Sequence, residues 1–330
     1  MYKFIMLAGL PGSLKSTYAK NYINMEISDS VEYVSSDEIR KELDLEQGTI
    51  SNVFNIVQQR VLKSECPIVI YDATNLRLKH RVNLLQQIKR KHPFARTEIV
   101  FHALPIKVCK YFNSQRKGFD KVPEYVYDRM LRGFDMPLYQ EGWDYITYKT
   151  IYSDDFLNIS NMFFNSFEEI RSDFISATKF DMVAFDQDNP YHTLTLDRHC
   201  AETVNYIIER YNNFSKEERD ILRIAAEYHD IGKVITKDYH KSNGELSETA
   251  HYYGHENAGA YIMLSEYSGI ATLPQTRIYQ IAKLINFHMK VSFSWRKNPY
   301  SKATLEGKKY FTGRELAMLE LLGEADRNAH

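Results

Sequence analysis

The sequence is short of the residues that staple a fold or anchor it in a membrane. Its 330 residues hold three cysteines, Cys66, Cys109 and Cys200, which are scattered and show no CxxC spacing. That argues against a disulfide framework or a thiolate zinc site and fits a reducing cytoplasm. No apolar run approaches the roughly 18 residues needed to cross a bilayer, so no membrane association is expected. The opening MYKFIMLAGLPGS lacks a basic leader and a long apolar core, and reads as a first β-strand instead of a signal peptide. A formal net charge of −1 leaves no overall field to draw the chain onto a polyanion. Any such binding must come from local patches.

What is present suits a globular protein: 44% hydrophobic and 26% charged residues. At about 100–200 residues per domain, the length predicts two domains. The first half alternates β-rich runs (residues 3–8, 31–34, 67–71, 97–103 and 145–152) with polar helical patterns (16–23, 52–64 and 78–91). Such alternation predicts an α/β domain, a parallel sheet flanked by helices. Beyond about residue 155 strands are scarce, and helical spacing dominates from His199 onward. The run Asp-Gln-Asp-Asn at 186–189, followed by Pro190, reads as the loop that leads into the second domain. The division expected is therefore 1–155 (α/β), 156–185 (a helical connection) and 186–330 (all-α).

The strongest local signal is Gly9-Leu10-Pro11-Gly12-Ser13-Leu14-Lys15-Ser16-Thr17. It leaves a hydrophobic strand and opens a helix, the setting of a phosphate-binding loop. Gly9, Gly12 and Ser13 let backbone N–H groups turn inward, and the helix start, with Ser16 and Thr17, adds its positive end. Lys15 reaches the β- and γ-phosphates of ATP or another NTP, and Ser16 ligates Mg²⁺. One position departs from the usual pattern: Leu14 stands where a glycine normally precedes the lysine.

Two more loops follow strands: Ser35-Ser36-Asp37-Glu38-Ile39-Arg40 and Asp72-Ala73-Thr74-Asn75. In an open parallel sheet, ligands gather at the carboxyl ends of the strands. Asp37 there can take a proton from an attacking hydroxyl, and Arg40 can hold an acceptor phosphate. Capping of the next helix is the competing use for Asp37. The basic stretch from Arg116 to Arg132 carries Arg129 and Arg132 at i, i+3, placed to close over a transferring phosphoryl group.

Residues 1–150 resemble the phage and bacterial polynucleotide 5′-kinases, through GLPGSLKST, the Ser-Asp-Glu-Ile-Arg loop, the Asp-Ala-Thr-Asn loop and the Val-Pro…Arg-Met lid. The resemblance implies that Asp37 is the general base for a 5′-hydroxyl and that Arg40 contacts acceptor phosphate. Asp72, Thr74 and Asn75 would lie in the acceptor site, and Arg129 or Arg132 would be the lid arginine.

In the second half, Ser215 with Glu218 marks the start of a helix that runs to Tyr228 and into His229-Asp230-Ile231-Gly232-Lys233. A His-Asp pair means little alone. Here His199 precedes it, and His255, His288 and Asp326 follow. Ile281, Leu284 and Ile285 put His288 on an apolar helix face, and Leu316, Leu319 and Gly323 put Asp326 on another. Buried imidazoles and a buried carboxylate from separate helices are best compensated together by one metal site.

The order His199…His229-Asp230…His255…His288…Asp326 resembles the HD phosphohydrolase superfamily, which is all-helical and metal-dependent. The resemblance implies that His199, His229, Asp230 and Asp326 bind one metal, while His255 and His288 add a second metal or hold phosphate. It makes Lys233 a contact to phosphate or a stabiliser of the transition state; His192 and His251, extra histidines near the ligands, are further candidates for phosphate contacts or have no role. Imidazole and carboxylate ligands suit Mn, Fe, Co, Ni or Zn. The whole chain resembles bifunctional end-healing enzymes, which implies phosphorylation of a 5′-OH and removal of a 2′,3′-cyclic or 3′-phosphate. The expected partners are nucleic-acid ends, RNA before DNA, and a separate ligase. The alternatives are a nucleoside or nucleotide kinase fused to a nucleotidase, and a regulatory module that binds nucleotide without turnover.

Overall fold

The structure is a computed structural model that describes residues 2–26, 30–43, 53–154, 156, 180–190, 193–267 and 273–329. The chain forms two compact units, Met1–Met130 with Pro137–Phe167, and Leu131–Met136 with Glu168–His330. Most of the expected connection at 156–185 lies outside the described residues, as does His192.

The first unit is a five-stranded parallel sheet in the order β2-β3-β1-β4-β5. Its strands are β1 (Lys3–Gly9), β2 (Val31–Ser35), β3 (Ile68–Asp72), β4 (Arg96–His102) and β5 (Tyr145–Lys149). In β1 the run from Phe4 to Gly9 is wholly buried, as expected where helices cover a parallel sheet. Ile5, Leu7, Ile70 and Val100 pack on Ala19 of helix α1 (Lys15–Met25). The other helices are α2 (Ser36–Glu42), α3 (Val53–Lys63), α4 (Leu78–Lys91), α5 (Ile106–Ser114) and α6 (Glu124–Arg132). Register decides the site: Asp72 at the end of β3 pairs with Leu7 of β1 on one side and Ser35 of β2 on the other. The three loops that follow those strands therefore open at one edge of the sheet.

Among the described residues, the second unit is helical apart from one hairpin. Its helices are α7 (Leu196–Arg210), α8 (Lys216–Tyr228), α9 (Lys233–Thr236), α10 (His255–Glu266) and α11 (Gln275–Met289). After α11 a π-helical turn (Lys290–Ser294) leads to the short α12 (Trp295–Lys297), then α13 (Lys302–Lys308) and α14 (Gly313–Asn328). The capping box read from Ser215 and Glu218 starts α8. Thr312 and Glu315 form a second one at α14. The hairpin, β6 (Asp238–His240) with β7 (Leu246–His251), was not foreseen in an all-α reading. It is short and largely exposed, so it leaves no apolar run in the sequence.

Gly232 shows how the second unit closes on its centre. A Cβ there would lie 2.0 Å from the His255 carbonyl oxygen and 2.6 Å from the Gly259 nitrogen. Only glycine lets the turn after Asp230 rest on the start of α10, which brings Asp230 to His255.

Candidate active sites

Helix α1 opens with no side-chain cap and no acidic residue in its first turn, so its leading N–H groups stay available to an anion. Gly12 has φ 77°, and a Cβ there would meet the Cys109 carbonyl oxygen at 2.1 Å. Gly9 has φ 145°, and a Cβ there would crowd the Ser13 hydroxyl and the His102 carbonyl oxygen. Leu14 takes the left-handed conformation, φ 63° and ψ 20°, at the N-cap of α1. For a residue with a Cβ this costs about 1–2 kcal/mol. Lys15 is buried and folds back over the loop, donating to the carbonyls of Gly9 (3.1 Å) and Leu10 (2.8 Å) and to Ser13 Oγ (3.3 Å). Burial pulls its ammonium below the ordinary range, partly countered by Asp72.

Asp72 is buried beside the loop, and its Oδ2 accepts from Ser16 Oγ and from Tyr33 Oη, each at 2.7 Å. That places Asp72 against the hydroxyl expected to hold Mg²⁺, and shared with the cation side of the crevice as much as with an acceptor. Tyr33 was not anticipated, and the alternation along β2 was its only trace. Thr74 lines the crevice. Asn75 does not: it is buried with φ 45°, and its amide donates to the Leu7 carbonyl oxygen at 2.8 Å. That bond ties the loop to β1 and turns the amide away from the crevice, where an acceptor contact was expected of it. Beneath it, Arg81 donates to the Asn75 carbonyl oxygen (3.1 Å) and grips Glu141 with two bonds (3.0 and 2.6 Å).

The cap of α2 is Ser35, whose hydroxyl accepts from the N–H groups of Asp37 and Glu38. Asp37 is thereby freed from capping. Its Oδ1 accepts from Arg40 Nη1 at 3.0 Å, and both side chains line the crevice. Arg40 Nε is buried and has no hydrogen-bond partner. The crevice, of about 480 Å³, is also lined by Lys15, Arg116 and Arg129 and by the rings of Phe54 and Tyr125. Arg132 is not among its lining residues. It belongs to the second unit, where it pairs with Asp238 at 3.1 Å and donates to the Thr236 carbonyl oxygen. A carboxylate and a carbonyl claim its guanidinium, so Arg129 is the member of that pair which faces the phosphate cradle.

In the second unit the structure brings together every metal-ligating candidate of the sequence. His199, His229, Asp230 and Asp326 form one group, and Asp230, His255 and His288 form another. The imidazole Nε2 atoms of His199 and His229 are 3.2 Å apart, and those of His255 and His288 3.3 Å. Each of the four rings sets its Nδ1 against a backbone carbonyl, of Ala329, Ala226, Tyr252 and Ile285 respectively. Donation from Nδ1–H fixes the tautomer and leaves an Nε2 lone pair pointing inward. Four converging lone pairs repel unless a cation lies among them. The residues fit divalent metal, and Asp230 belongs to both groups. Its Oδ2 faces His199 and His229 (3.4 and 3.5 Å), and its Oδ1 faces His255 and His288 (3.0 and 3.5 Å).

The electrostatics express the same demand for positive charge. Burial pulls the His199 imidazole down, yet hydrogen bonds to Asp230 and Asp326 lift it to about 9. Burial would raise the Asp230 carboxyl, but Lys233 and the imidazoles hold it well below its ordinary range. Lys233 is itself buried, and donates to Asp230 Oδ2 (2.7 Å) and to Gln187 Oε1 (2.8 Å). In this arrangement it steadies Asp230. Gln187 escaped the sequence reading, although it sits in the Asp-Gln-Asp-Asn loop already marked. His251 lies on β7, its ring stacked on Tyr253.

Residues 4–137 match the family described as an AAA domain, and residues 196–305 match the family described as an HD domain. Among solved structures, a gluconokinase from Sinorhizobium meliloti 1021 matches 50% of this chain and 97% of its own, at 13% identity and a TM-score of 0.33. No curated protein matches the sequence. The chain joins a kinase-like P-loop domain to an HD hydrolase domain.

Proposed function

We propose that the first unit transfers the γ-phosphoryl group of ATP to the 5′-hydroxyl of a polynucleotide, RNA before DNA, and that the second hydrolyses a 2′,3′-cyclic or 3′-terminal phosphate. The observation that carries the kinase half is the Asp37–Arg40 pair on the crevice that Lys15 also lines. Asp37 takes the proton of the hydroxyl as its oxygen attacks the γ-phosphorus and ADP departs. Arg40, with Nε still unpartnered, suits an acceptor that carries phosphate close to that hydroxyl. Lys15, Arg116 and Arg129 counter the charge on the transferring group. Phe54 and Tyr125 offer ring faces on which bases stack, in keeping with a strand as acceptor.

In the second unit, His199, His229, Asp230 and Asp326 would hold one metal, and Asp230, His255 and His288 a second. Bound divalent metals there would acidify a water and polarise the phosphoryl oxygens. The protein's part is to hold four Nε2 atoms and two carboxylates at fixed positions, with Lys233 and Gln187 bracing Asp230.

The test is an oligoribonucleotide with a 5′-hydroxyl and a 2′,3′-cyclic or 3′-phosphate end, incubated with γ-labelled ATP, Mg²⁺ and Mn²⁺ beside free nucleosides. Label on the oligonucleotide and loss of the terminal phosphate by mass are expected. Label on nucleosides alone would overturn the polynucleotide reading in favour of a small-molecule kinase. Nucleotide binding without transfer to any acceptor would favour a sensing module.

A further inference from the structure

Leu14 is the only described residue that lines both the phosphate crevice and a small hollow beside it. The hollow is bounded by Tyr18, Leu104 and Phe156, with Lys149 and Thr150 at its rim. Leu14 holds φ 63°, where glycine would sit without strain and a branched side chain does not. Strain of this kind persists only where the surrounding structure over-determines it, and it marks the position as a candidate for function. Leu14 caps α1 with no side-chain hydrogen bond, so capping is not that use. Lys15 and Ser16 follow it directly and line the crevice with it, so its side chain is an apolar wall beside the groups read as meeting the phosphates.

We propose that Leu14 is a specificity-determining residue: its side chain is the apolar wall that lets this loop discriminate a nucleoside triphosphate from bare polyphosphate. Inorganic tripolyphosphate meets the loop's N–H groups, Lys15 and the crevice arginines but presents nothing to Leu14. A nucleoside triphosphate adds contact between its nucleoside and Leu14, which offsets the strain of the left-handed residue. The inference rests on the reading of the loop as a nucleotide cradle.

The experiment compares the affinities of the full chain for Mg²⁺-ATP and for Mg²⁺-tripolyphosphate by calorimetry, in the wild type, Leu14→Gly and Leu14→Asn. Glycine removes both the wall and the strain. Asparagine tolerates the left-handed conformation and removes only apolar contact. In both variants the preference for ATP over tripolyphosphate should fall by about fivefold, or about 1 kcal/mol at 1.4 kcal/mol per tenfold. In Leu14→Gly, tripolyphosphate should bind as tightly as in the wild type or tighter. An unchanged ratio of the two affinities in both variants would overturn the assignment of Leu14 alone. Failure of the wild type to bind either compound would overturn the nucleotide cradle, and the proposal with it.

Discussion

Ser292 donates its hydroxyl to Asp326, Oγ to Oδ2 at 3.2 Å, from a π-helical turn that begins directly after Met289. The other carboxylate oxygen, Oδ1, faces His199 and His229 at 3.3 and 3.4 Å. The turn rests on Gly323 of α14, where a Cβ would lie 2.4 Å from Val291 Cγ1. Such π-turns recur at functional sites. Ser292→Ala should lower metal affinity by roughly tenfold, the usual effect of losing a group that orients a ligand. Competition with a fluorescent chelator measures this, and an unchanged affinity would contradict it.

Metal content should report the sharing of Asp230 between two ligand groups. Elemental analysis of the wild type should give two divalent ions per chain. Asp326→Asn should retain the ion held by Asp230, His255 and His288, and Asp230→Asn should lose both. One ion in the wild type, lost in Asp326→Asn, would reduce the centre to a single site.

The two chemistries should separate by mutation. Lys15→Ala and Asp37→Ala should each reduce phosphoryl transfer by at least about 100-fold, the scale of a lost acid–base or charge-stabilising group. Phosphate removal should persist in both. His229→Ala and Asp230→Ala should do the reverse. A folded variant that loses both activities would argue against independent sites.

Arg81 and Glu141 form an ion pair with no exposed side-chain surface, and Glu141 also accepts from the Leu138 N–H and the Trp143 indole. Breaking such a pair leaves a buried charge alone, whereas an apolar pair of similar volume often restores stability. Arg81→Met should therefore destabilise by about 3–5 kcal/mol in urea unfolding. The double variant with Glu141→Leu should recover most of that loss. A single variant as stable as the wild type would refute the argument.

Arg314 hydrogen-bonds Glu218 at the start of α8, and with the Ser215 N–H it holds that carboxyl down to about 2 from an ordinary 4.5. A carboxyl depressed on folding stabilises above its unfolded pKa, and that contribution fades as pH falls through the folded value. The window is therefore about pH 4.5 to 2. Because the pair faces solvent, its worth is about 0.5 kcal/mol. Glu218→Gln should remove that part of the acid slope in pH-dependent thermal unfolding, and an identical slope would count against it.

Much of this was legible in the chain itself. A buried parallel strand must be apolar along its length, so residues 3–8 announced β1, while a polar helical pattern marked α4 and the Ser215–Glu218 capping box marked the start of α8. GLPGSLKST needed no partner to be read, because strand, loop and helix start are local. The exposed hairpin β6–β7 left no such mark. Neither did Asn75, whose type suits a ligand contact but whose positive φ turns its amide toward Leu7.

Residue type and spacing thus determined two folds, the phosphate-loop motif and the set of six candidate metal ligands. Tertiary structure alone decided that Asp230 serves both histidine pairs, that Arg129 and not Arg132 lines the crevice, and that Lys233 is spent on Asp230 and Gln187. The reason is physical. Local sequence sets which way a helix or strand turns, but the partner of a charged side chain is whichever group the packing of distant segments brings within hydrogen-bond reach.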